Sequence, residues 1–247
     1  MCADLAYAHA SIDWAVSNLP AFEQRMQAWL NLNIDVRIRN IESDPANNML
    51  VAFEKEPMPL VFSAEFGALI NSLRSSLDIL ATALAYRNGM ANKDKVYFPI
   101  AQTEARFLAG NYKGAEFVKL LPHAERLKIE ALKPYDRGHS LLWMLHHLDN
   151  TRKHRKLIET QTRPASLTTS DIMFFRRNPV SYHDQLVHID GETELGLVPK
   201  SASKSEYKIT AQIIVAEPGC LCGSSAIAAI RYLATMARDI IAKFDGP

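Results

Sequence analysis

The stretch that most constrains the fold runs from His139 to Ile158 and reads HSLLWMLHHLDNTRKHRKLI. At about 100° per residue, the helical period, it resolves into distinct stripes. Leu141, Met144, Leu145 and Leu148 fall on one face, and Arg152 and Arg155 continue the same line. Trp143, His147, Asn150 and His154 fall nearly opposite, spaced four, three and four. Asp149, Lys153 and Lys156 occupy a narrow third stripe, with Asp149 placed to pair with Lys153 one turn on. An ordinary surface helix has one apolar face and a broad polar one. This stretch has two faces that want cover, which predicts a central helix sandwiched between neighbours. The basic cluster in its last turns suits a helix C-terminus, where the macrodipole is negative.

A chain of 247 residues can bury a sizeable core, and the pattern is read as a single domain over 1–247. Hydrophobic residues make up 48% and the formal net charge is +1, so no global field draws in nucleic acid or membrane. Any anion site must therefore be a local patch. No run approaches the roughly 18 apolar residues of a membrane span. The N-terminus lacks the basic region and unbroken apolar core of a signal peptide. Cys2, Cys220 and Cys222 cannot build a disulfide framework, so a cytoplasmic location is expected.

Several chemistries lack their signatures. His146, Asn150 and His154 stand at i, i+4 and i+8, but there is no His-Glu-x-x-His pattern and no zinc spacing of cysteines. No Gly-x-Ser-x-Gly elbow and no glycine-rich phosphate loop occur. Neither a metal nor another cofactor is expected.

Taken in order, residues 4–31 carry a helical stripe of Ile12, Val16, Leu19, Phe22, Met26 and Trp29, with Pro20 as a potential kink. From Ile34 the period changes to two, and the turn-rich 43–48 leads into MLVAFEK, which reads as a β-hairpin within 34–55. A long helix is expected from Val61 to Arg87, stopped by Asn88-Gly89. Beside its apolar stripe runs a polar one of Asn71, Arg74 and Asp78, with Arg74 and Asp78 spaced for an ion pair. Short helices at Glu104–Leu108, Ala115–Leu121 and His123–Leu132 form a cap before the central helix. Beyond Pro164 the pattern is mostly extended, with strands at Asp171–Arg177, Asp184–Ile189, Thr193–Val198 and Glu206–Ala216. A final helix covers Ser224 to Phe244. The order argues an α+β fold: a helical core over about 60–160, strands over about 34–55 and 165–217 in a small antiparallel sheet, and terminal helices on either side.

Four segments, INSLRSSLDILATALA, YFPI, LKPYD and LLWMLHHLDNTRKHRKLI, resemble a family of uncharacterised bacterial proteins. Its members carry a leucine-arginine helix ending in Leu-Asp-His, a Phe-Pro-Ile segment, a Gln-Pro-Tyr segment and an Asn-x-x-Lys-His-Arg helix. The likeness covers about residues 60–160, and Asn150, Lys153, His154 and Arg155 match its most specific motif. The chain departs at Ile79, where relatives often have histidine, and at Ser72, where asparagine is usual. The helical core of that family is similar to HEPN domains, four-helix units of bacterial toxins, phage defence and RNA processing.

Many HEPN proteins are metal-independent ribonucleases with an Arg-x(4–6)-His motif, in which histidine moves the proton and arginine stabilises phosphate charge. No histidine follows Arg74 at that spacing, and the formal matches from Arg176 and Arg177 to His183 fall in a turn-like segment. Two readings follow. In the preferred one, the chain is a non-catalytic HEPN-like module that binds a nucleotide, nucleic acid or protein partner, with Asn71, Asp78, Asn150, Arg152 and Lys153 as binding or network residues. In the alternative, it is an endoribonuclease of toxin or phage-defence type, with His154 as acid or base and Arg74 and Arg155 as phosphate clamps. RNA or a nucleotide is the expected partner, and the two-faced central helix and apolar final helix are compatible with a homodimer.

Overall fold

The computed structural model describes residues 5–90, 96–169 and 191–245. The expected strands at 171–177 and 184–189 and the Arg176/Arg177–His183 spacing lie outside the described residues.

Helix α1 spans Ala6–Asn33 and buries Ala8, Ile12, Ala15, Leu19, Phe22, Met26 and Leu30, an almost unbroken alternation of three- and four-residue steps. The helix continues through Pro20. Strands β1 (Ile34–Asn40) and β2 (Asn47–Glu54) form the expected antiparallel hairpin. Its loop is closed by Asp44, whose carboxylate accepts from the backbone N–H groups of Ala46 and Asn47 at 2.9 and 3.0 Å. Strand β4 (Glu192–Pro199) adds to β2, giving a three-stranded antiparallel sheet in the order β1-β2-β4, with β3 defined below.

The small sheet expected from the sequence is in fact two. Strand β3 (Thr160–Thr169) pairs antiparallel with β5 (Tyr207–Val215) in a separate two-stranded sheet. The sequence reading names no strand within 160–169, where Pro164 stands. Here the register shifts between Pro164 and Ser166, and a bulge in an edge strand is where a residue without an N–H is tolerated. The two sheets meet where β1 lies against β5, and a Thr162–Glu54 hydrogen bond joins them.

Helix α2 (Leu60–Arg87) begins after Pro59 and ends at Asn88, with Gly89 following at φ +67°. It touches α1, α6 and α7, and its buried residues include Phe66, Leu69, Ile70, Leu73, Leu77, Leu80 and Leu84. Short helices α3 (Glu104–Leu108), α4 (Ala115–Leu120) and α5 (His123–Ala131) form the cap. Helix α6 covers Ser140–His154, and α7 covers Ala226–Ala242. Seven helices among the described residues, with two small antiparallel sheets, make the fold α+β.

Two expectations for α6 are corrected. It stops at His154, four residues before Ile158, because the backbone N–H groups of Arg155 and Lys156 both return to the Thr151 carbonyl and Ile158 turns into the core. It is also not sandwiched. Leu142, Met144, Leu145 and Leu148 are buried, while the face carrying Trp143, His147 and Asn150 opens on a cleft. The helix covered on most sides is α2. The core is contiguous across α1, α2, α6, α7 and both sheets, with a satellite of Ala101, Phe107 and Tyr135 under the cap.

Candidate functional site

Two polar pairs join α2 to its surroundings. Asp149, buried on α6, accepts from Asn71 Nδ2 at 2.9 Å and meets Lys153 Nζ at 2.6 Å. Arg74 is only 4% exposed, and its Nη1 meets Asp78 Oδ1 at 2.8 Å, an ionic contact rather than a well-aligned hydrogen bond. Both partners reach the backbone of the same residue. Arg74 Nη2 approaches the Phe98 carbonyl at 3.4 Å, and Asp78 Oδ1 accepts from the Phe98 N–H at 2.8 Å. Segment 96–102 has little hydrogen bonding of its own, so these two side chains serve where a strand partner or helical turn would otherwise be required. Ala101 is held next, its N–H donating to the Pro134 carbonyl at 2.9 Å.

The segment so anchored forms one wall of an open cleft of about 980 Å³. Ile100, Ala101 and Gln102 line that wall; Trp143, His146, His147, Asn150 and Arg155 line the floor on and just after α6. The cap contributes Arg106, Asn111, Tyr112 and Lys113, and the turn Pro218-Gly219-Cys220 closes the far side. Gly219 is required there: a Cβ would lie 2.5 Å from the sulfur of Met144, and its φ is +141°. Gly114 allows the cap to close, since a Cβ at its φ of +93° would lie 2.4 Å from the Tyr97 carbonyl oxygen.

The lining carries three fixed cations, Arg106, Lys113 and Arg155, against one carboxylate, Asp136. Among the described residues none of the three cations is in an ion pair. Arg106 donates to Gln102 Oε1 at 3.2 Å, and Lys113 Nζ stands 3.7 Å from the centre of the Tyr97 ring. On the floor, the Trp143 ring is tilted against His146 and His147 at 5.7 and 6.3 Å. His146 Nε2 lies 2.8 Å from Asn150 Nδ2. Burial pushes the His146 imidazole down to about 4, and the Arg74 charge adds to the effect against the partial opposition of Asp149. It is therefore neutral at pH 7. Burial raises the Cys220 thiol, which stays protonated and is a poor nucleophile.

Of the residues expected from sequence, the cleft gathers Asn150 and Arg155. Arg74, Asp78, Asn71 and Lys153 belong to the two pairs behind its wall and floor. Arg152 lays its stem on α2 where Gly67 leaves room, a Cβ there falling 2.7 Å from Arg152 Cδ. His154 is exposed and does not line the cleft. The residues that sequence reasoning did not place in the site are His146, Trp143 and the cap cations Arg106 and Lys113. Trp143 stood on a stripe of α6 already recognised, and His146 was weighed only for its spacing with Asn150 and His154 as a metal set; the cap cations carry no local signal. No group of three or more His, Cys, Asp or Glu side chains suited to a metal occurs among the described residues. No helix among them is long and apolar enough to cross a membrane.

Compared with known protein families, with curated proteins and with solved structures, the chain finds no match.

Proposed function

We propose that the protein is a non-catalytic binding module whose cleft takes a phosphate-bearing ligand, a nucleotide or a short stretch of single-stranded nucleic acid. The observation that carries this reading is the convergence of Arg106, Lys113 and Arg155 on one cleft in a chain whose overall formal charge is only +1. A concave surface lined by one sign of charge concentrates counter-ions of the other sign. The aromatic floor at Trp143 supplies the stacking platform that single-stranded nucleic acid sites use beside their cations. In this reading α2 and α6 are a HEPN-like core kept as scaffold, and Arg74 and Asp78 act as architecture behind the wall. A ribonuclease built on His154 finds less support, since neither His154 nor Arg74 lines the cleft.

The test is equilibrium binding of a single-stranded RNA decamer and of ATP to the full chain, across a salt series. Saturable binding should weaken with salt, and Arg155→Glu and Lys113→Glu should each weaken it by about tenfold or more. Each lost phosphate contact lowers the salt slope by about one. Absence of saturable binding, or binding indifferent to both reversals, contradicts the proposal.

A further inference from the structure

We propose that Asn150 is the specificity-determining residue of the cleft and reads the edge of an adenine base; this rests on the phosphate-ligand reading above. Asn150 is exposed, yet its amide is held by His146 at 2.8 Å from one turn earlier on α6. An exposed asparagine is ordinarily free to rotate. Here a neighbouring ring fixes the plane of the amide against the cleft floor.

The chemistry of the pair sets what remains free. A neutral imidazole can accept at Nε2, so the contact uses one N–H of Asn150. The low titration of His146 agrees with that state. The carbonyl oxygen and the second N–H of the amide are left, one acceptor and one donor side by side in a plane. Adenine offers the complement, a donor at N6 beside an acceptor at N7, and asparagine reads it in a bidentate manner. Guanine presents two acceptors on the corresponding edge, N7 and O6, which suits arginine or lysine instead.

The neighbouring residues fall in a matching order along the helix. Trp143 lies seven residues before Asn150, about 10 Å along the axis and on the same face. Arg155 lies just past the helix end in the other direction. From Trp143 to Arg155 the cleft floor thus offers a stacking face, an edge reader and a cation, which suit the ring, the edge and the phosphate of one nucleotide.

The experiment compares AMP, GMP and ribose 5-phosphate on the wild-type chain and on Asn150→Leu and Asn150→Asp, by calorimetry at low salt. Because Asn150 is exposed, both variants should fold, and far-UV circular dichroism checks this. AMP should bind at least about tenfold tighter than ribose 5-phosphate and tighter than GMP. Asn150→Leu should lose the preference for AMP over GMP while retaining the affinity for ribose 5-phosphate; Asn150→Asp should lose the preference too, with all three phosphate ligands weakened together by the added negative charge. If AMP and ribose 5-phosphate bind alike on wild type, or if Asn150→Leu keeps the full preference for AMP, base reading by Asn150 is overturned and the phosphate reading stands. If none of the three binds, the phosphate reading itself falls, and this inference with it.

Discussion

Removing the Asp78 carboxylate tests whether the Arg74–Asp78 pair is a structural clamp or a surface salt bridge. Arg74 is 4% exposed in the fold, and Asp78→Ala leaves its guanidinium the Phe98 carbonyl at 3.4 Å as a remaining partner. The Phe98 N–H loses its acceptor as well. Removing one partner of a fully buried pair costs about 3 to 5 kcal/mol. Asp78 is 34% exposed, so water can reach part of the gap and the lower end applies. A loss of about 3 kcal/mol is expected, lowering Tm by roughly 6 °C in a chain of this size. Asp78→Asn, which keeps an acceptor for Phe98, should lose clearly less. The double variant Arg74→Met/Asp78→Ala should recover part of the loss, because no buried charge is then left without its counter-charge. Urea unfolding gives the four free energies. If Asp78→Ala lies within about 0.5 kcal/mol of wild type, the pair behaves as a solvated surface bridge and the clamp argument fails.

Protonating His146 favours the unfolded chain, since its pKa is about 4 in the fold against 6.5 when free. Its contribution to stability is complete above about pH 6.5 and declines as pH falls toward 4, by about 2 to 3 kcal/mol at pH 4.5. Urea midpoints between pH 7 and 4.5 should therefore fall less steeply in His146→Gln than in wild type, and equal slopes would argue against a buried neutral imidazole. Gly114→Ala must place a Cβ 2.4 Å from the Tyr97 carbonyl oxygen at φ +93°. A stability loss of about 2 kcal/mol is expected from that strained backbone, together with weaker ligand binding because the cap moves off the cleft; an unchanged Tm contradicts it. Glu217 is buried and accepts from the Glu159 N–H at 3.0 Å, so Glu217→Ala should lower Tm by several degrees through the orphaned N–H.

Much of the fold was legible because its elements obey a single period. The stripe of α1 and the long apolar ridge of α2 placed both helices to within a few residues, and the alternation from Ile34 placed β1. Strand β3 was missed, because the bulge after Pro164 depends on the pairing with β5 and leaves no local mark. For α6 the face with Trp143, His147 and Asn150 was visible, but its cover was not. Those side chains pack equally well under a neighbour or around an open cleft, and the choice depends on where the cap and the turn at Gly219 come to rest. Asn71, Arg74 and Asp78 on α2 were grouped with Asn150 and His154 on α6 as residues of one candidate site. In the structure Asn71 does reach α6, through Asp149, while Arg74 and Asp78 turn to the backbone of Phe98. A main-chain partner some 20 residues away has no side-chain signature, which is why the clamp could be taken for part of a site.

The central claim is that ligand enters the cleft over α6, and the chain carries its own reporters. Its three tryptophans are Trp14, exposed on α1, Trp29, packed edge-on against Phe62, and Trp143 on the cleft floor. Titrating labelled protein with AMP while following the indole N–H resonances distinguishes them in one experiment. The account predicts a saturable shift at Trp143 that is absent at Trp14 and Trp29. A saturable shift at Trp14 with none at Trp143, or no shift at any indole at millimolar AMP, contradicts it.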